Sequence, residues 1–167
     1  MASGATLLQW TVLGNMPPSS NGAALDTRND HPILDFDAAA DVSAIFGGVL
    51  PRGDGGYAGG GLTVSLYWMA SSATSGNVVW NVAIERHEAD VTDLDADSFA
   101  AAQAATAACA SASGEVAVTE IPFTDGAQMD SLAAGESFRL KVTRDADNGS
   151  DTMTGDAELL RVEVRET

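Results

Sequence analysis

Cysteine is almost absent: Cys109 is the only thiol, so no intramolecular disulfide can form and the chain is not built as a small cystine-stapled scaffold. With no His or Asp at a recognisable spacing from it, in the run AAQAATAACASAS, it does not read as a nucleophile. Basic residues are also scarce. Eight Lys plus Arg against 24 Asp plus Glu leave a formal net charge of −16 over 167 residues, and a surface of that sign repels nucleic acid and anionic lipid. The same acidity suits solubility, a salty medium, or a basic or cationic partner. No run approaches about 18 uninterrupted apolar residues, and the start MASGATLLQWTVLGN has neither a basic n-region nor a long apolar core. Neither a membrane span nor a signal peptide is expected. The two histidines, His31 and His87, are too few and too isolated for a metal triad or an oriented base.

What the chain does contain is strand. Residues 59–86, GGGLTVSLYWMASSATSGNVVWNVAIER, read as two long strands joined by a small-residue turn. Leu62, Val64, Leu66 and Trp68 share one face, Thr63, Ser65, Tyr67 and Met69 the other, and Val78, Trp80, Val82 and Ile84 repeat the pattern. A period of two puts one apolar face on a core. Further strands are expected at 6–12, 33–36, 43–50, 115–123, 137–144 and 157–165, the last with Leu160, Val162 and Val164 inward. Pro122 calls for an edge position or a bulge. The segment 98–109 has alanines that suit a helix, but its Thr and Ser interruptions favour a strand. Irregular loops are expected at 15–32 and in PRGDGGYAGGG, and one helical turn at 130–134 capped by Asp130. About eight alternating strands with turn signals between them describe one all-β domain over 1–167, an antiparallel sandwich of jelly-roll type, with an up-and-down barrel as the competitor.

Few groups carry chemistry. Asp145, Asp147 and Asp151 in DADNGSD, and Asp93, Asp95 and Asp97 in DLDAD, are the spacing of oxygens that calcium uses. The first set departs from the EF-hand register, since Gly149 is already the fifth residue from Asp145. The simpler reading is a hairpin turn in which Asn148 and Gly149 supply positive φ. Glu85 and Glu88 flank a strand end, but spacing alone does not make them a glycosidase pair. GGYAGGG lacks the Lys and Ser/Thr of a phosphate loop, and the RGD at 52–54 is a match of three residues. An exposed aromatic platform for sugars would draw on Trp10, Tyr57 and Tyr67, because Trp68 and Trp80 fall on the core pattern.

The segments LDTRNDHPILDFD (25–37), GVLPRGDGGYAGGGLTVSLYWMA, DADSFAAAQ and the closing GDAELLRVEVRET resemble a family of small β-rich structural proteins of tailed bacteriophages. The resemblance implies a non-enzymatic virion component made in the host cytoplasm: a head decoration, or cement, protein of jelly-roll body that binds the major capsid protein on the outer capsid surface, often as a homotrimer. A carbohydrate-binding or tail/fibre module of a virion is the alternative. In the decoration reading the loops 53–61 and 15–32 reach neighbouring subunits, and Trp10, Arg28, Arg52 and Tyr57 are the expected contact residues, since Trp, Tyr and Arg dominate interface energetics.

Overall fold

The computed structural model describes residues 4–167. Ten strands are present: β1 (Thr6–Thr11), β2 (Ala24–Arg28), β3 (His31–Phe36), β4 (Val42–Val49), β5 (Leu62–Ala70), β6 (Asn77–His87), β7 (Gln103–Ala108), β8 (Ala117–Phe123), β9 (Ser137–Arg144) and β10 (Ala157–Glu166). They form two antiparallel sheets packed face to face. One is six-stranded, β2-β3-β10-β5-β8 with β1 also on β10, and the other four-stranded, β4-β9-β6-β7. From β3 onward the chain passes repeatedly from one sheet to the other, as in a jelly roll.

That passage corrects the reading of 59–86 as a hairpin. β5 pairs with β10 and β8, whereas β6 pairs with β9 and β7, so the small-residue link crosses between sheets. Periodicity was the right guide to faces all the same. Leu62, Val64, Leu66 and Trp68 from one sheet meet Val78, Trp80, Val82 and Ile84 from the other, all of them buried. The Trp68 and Trp80 rings lie edge to face at 5.7 Å, and Phe36 is edge-on to Trp80 at 5.0 Å, a geometry that the aromatic quadrupole favours.

Other expectations change in detail. The loop 15–32 contains a short hairpin, β2–β3, turned by Asn29 and Asp30, both with positive φ. The loop 145–156 is not a hairpin turn, since β9 and β10 belong to different sheets. Neither Asn148 nor Gly149 has positive φ, and what orders this loop is Arg144. Fully buried, Arg144 donates to both Asp151 oxygens (2.8 and 3.0 Å) and to the carbonyls of Phe36, Met153 and Gly155. The helical turn comes earlier than expected, as a 3-10 turn at Ala127–Met129. Asp130 follows it in the left-handed region and accepts the Arg86 N–H at 2.8 Å. β8 is an edge strand, which is where Pro122 is tolerated. β10 carries a bulge between Leu159 and Arg161, so Leu159 takes the inward place expected of Leu160.

Candidate functional site

Strand alternation turns Thr63, Ser65, Tyr67 and Met69 to the outer side of the six-stranded sheet. Beside them on β10, the bulge breaks the alternation and leaves Leu160 and Arg161 outside the core on consecutive positions, with Arg161 directly opposite Tyr67. Two shallow cavities share Leu160. One, of about 370 Å³, is lined by Gln9, Tyr67, Leu160, Arg161 and Glu163. The other, of about 280 Å³, has Arg28, His31, Met69 and Val116 among its walls. Together they make a groove across the outer face of the sheet, from the β2–β3 turn over β10 to β1.

The groove is held by specific bonds. The Tyr67 hydroxyl donates to Glu163 Oε2 at 3.1 Å, and the Thr6 hydroxyl donates to Glu163 Oε1. The bond to Glu163, followed by partial burial, pushes the Tyr67 phenol pKa up, so it stays a neutral donor. Arg28 is fixed by Glu158 Oε2 at 2.6 Å and by the carbonyls of Ala70 and Ser71 at 3.1 and 3.2 Å. Gly114 leaves room for it, because a Cβ there would stand 2.8 Å from Arg28 Nη2. Ser65 is only 1% exposed, and its hydroxyl has no protein hydrogen-bond partner. On β3, directly opposite Glu158 of β10, Asp35 is pushed up to about 6 by burial first and then by the carboxylates of Glu158, Asp156 and Asp26.

The four expected contact residues are not brought together. Trp10 packs on Phe46 and Phe138 and donates its indole N–H to the Gly47 carbonyl at 3.0 Å. Tyr57 is buried: its hydroxyl donates to Asp125 at 2.7 Å and accepts the Gly61 N–H at 3.1 Å, and its pKa is pushed up to about 12, chiefly by burial. The loop 53–61 is thereby anchored, with Ala58 and Gly60 also donating to Glu166. Arg28 lies in the groove, and Arg52 is exposed near the Gly135 carbonyl. Of the three candidate sugar stackers, Trp10 is packed against the core, Tyr57 is buried in the wall of a separate cavity of about 380 Å³ with Asp125 and Leu132, and Tyr67 lines the groove. Leu160 carries no sequence signal, because alternation alone places it in the core; the same alternation puts Arg161 outside, but nothing in the sequence marks it out from any other exposed arginine.

The acidic loop gathers a different triad from the one expected. Carboxylate oxygens of Asp41, Asp145 and Asp147 lie within 4.8 Å of one another and could hold a metal ion. Asp151 is engaged by Arg144 and by the Val79 N–H, so it is not free to join them. The Asp147 carboxyl is pushed up, mainly by Asp41. At the end of the four-stranded sheet, Glu85 is fully buried and ion-paired to Arg139, which together with Lys141 flanks the ring of Phe99. No facing pair of free carboxylates arises there.

No family model and no curated protein matches the chain. Among solved structures, it is similar to two xylan-binding domains of Paenibacillus barcinonensis Xyn10C. The CBM22-1 domain gives a TM-score of 0.54 at 12% identity, covering 99% of this chain and 97% of that one. The CBM22-2 domain gives 0.55 at 12% identity, covering 96% and 99%. It is also similar to part of the isomalto-dextranase of Arthrobacter globiformis T6, with a TM-score of 0.51 at 15% identity over 89% of this chain and 24% of that one. Identities this low show the fold: a β-sandwich of the kind seen in carbohydrate-binding modules.

Proposed function

We propose that the chain is a carbohydrate-binding module whose site is the groove on the outer face of the six-stranded sheet. The observation that carries this reading is Tyr67, a half-buried aromatic fixed by Glu163 on the floor of an open groove with polar groups along it. Sugars are bound by an aromatic face against their C–H groups, with hydrogen bonds from polar side chains setting orientation. Gln9, Glu163 and Arg161, on the wall of the same cavity, supply those bonds. Because the groove runs across the sheet and is not closed, it suits an internal stretch of a polysaccharide. The sandwich shared with two xylan-binding domains supports the reading at the level of fold. Affinity electrophoresis against a panel of soluble polysaccharides tests it: at least one polymer retards the protein, and Tyr67→Ala removes the retardation while Tyr57→Phe keeps it. A panel without a retarding polymer contradicts the reading.

A second reading, the virion decoration role, is favoured by one patch. Leu13 and Leu25 are 66% and 61% exposed and line one shallow cavity with Pro17, close to the segment expected to reach neighbouring subunits. Exposed apolar patches of this kind serve contacts between chains. This reading calls for an oligomer, and light scattering that shows only monomer, together with no binding to capsids, counts against it.

A further inference from the structure

We infer that the ligand of this groove is a glycan carrying carboxylates at intervals along an otherwise neutral backbone, and that Arg161 pairs with one of them. The inference rests on the glycan-binding reading above and names the ligand class. It starts from a census of positive charge. Of eight basic residues among 24 acidic ones, Arg28, Arg86, Arg139, Arg144 and Arg165 are ion-paired to Glu158, Glu136, Glu85, Asp151 and Glu120. Arg52 lies by the Gly135 carbonyl and Lys141 over the Phe99 ring. The Arg161 side chain makes no hydrogen bond, ion pair or cation–π contact among the described residues, although its backbone is paired with β1 and β5.

In so acidic a chain, an unpaired guanidinium needs a reason, and its neighbours supply one. Glu163, two residues on, is the obvious partner, but its two oxygens already accept from Tyr67 and Thr6. That arrangement keeps the acid from collapsing onto the arginine. Alternation with the buried Val162 and Val164 turns Arg161 outward, directly across from Tyr67, so that a sugar lying on the ring would have its substituents beside the guanidinium. The fork of N–H donors matches a carboxylate in a bidentate pair, whereas a neutral hydroxyl engages only one arm. Spacing of the carboxylates follows from the whole molecule: a net charge of −16 repels a dense polyanion, so sparse uronates on a neutral chain satisfy the site without that cost.

The test compares glucuronoxylan, gellan and hyaluronan, each native and with its carboxyl groups reduced to alcohols, alongside polygalacturonate as the dense polyanion. Affinities are read by calorimetry on the full chain. The expected result is at least one native polymer bound about five-fold or more tightly than its reduced form, a preference worth about 1 kcal/mol. Arg161→Met abolishes that preference by bringing native and reduced polymers to equal affinity, and polygalacturonate binds weakly at low salt. Equal affinity for native and reduced polymers, or a preference that survives Arg161→Met, overturns the inference while Tyr67-dependent binding keeps the glycan reading. Loss of both follows if no polymer of either form binds.

Discussion

Two tryptophans that meet edge to face in one core have unequal partners. Trp68 donates its indole N–H to Thr119 at 2.9 Å, whereas the Trp80 indole N–H is buried with no acceptor. Both substitutions to Phe lose packing volume, but Trp68→Phe also leaves the Thr119 hydroxyl unpaired. It is expected to cost about 1 kcal/mol more than Trp80→Phe in urea unfolding. Asp35 gives a second test. Its carboxyl is raised from 3.8 to about 6 in the fold, so the native state binds a proton more tightly than the unfolded chain. Its ionisation therefore costs stability as pH rises from about 4 to about 6, and the native state gains as pH falls through that window. Partial exposure and solvent screening hold the effect to about 1 kcal/mol. In Asp35→Asn this part of the pH dependence disappears from the melting curve.

Strand faces were legible in the sequence because the period of two is a local property, and β5, β6 and β9 bury the residues it marks. Strand partners were not, since alternation carries no information about which sheet a strand joins. β5 and β6 therefore read as a hairpin although they face each other across the core. β2 was hidden for another reason: its first four residues are exposed, so no apolar alternation distinguishes it from a loop. The bulge in β10 interrupts an otherwise clear pattern, and with it half of the candidate groove escaped notice, while Tyr67 was visible. At the sandwich end, Gly61 has φ +93°, and an added Cβ would lie 2.5 Å from the Phe123 carbonyl. Gly61→Ala is expected to cost about 2 kcal/mol or more in unfolding experiments, through both strain and clash. Asp151→Asn weakens the charge pairing of the buried Arg144 and is expected to cost about 3 kcal/mol, whereas an exposed change such as Asp93→Asn stays within about 0.5 kcal/mol.

Across the whole molecule, the acidic surplus is distributed over a rigid two-sheet body, and the cations that remain are mostly tied to acids. Self-repulsion of this kind lowers stability most at low ionic strength. Raising salt from about 0.01 M to about 0.1 M shortens the screening length from about 30 Å to about 10 Å. The melting temperature is expected to rise over that range, and a flat or falling trend would mean that ion pairs outweigh the repulsion. The same charge pattern sets off the groove, where an aromatic ring and an arginine without an acidic partner face each other on one sheet face. Its occupation is tested most directly by two-dimensional NMR of the labelled protein during titration with a bound oligosaccharide. The account predicts that resonances of Gln9, Tyr67, Leu160 and Arg161 shift together and saturate, while those around the cavity at Tyr57 and Leu132 stay in place. Shifts centred on the four-stranded sheet or on that cavity, with the Tyr67 face unmoved, would contradict it.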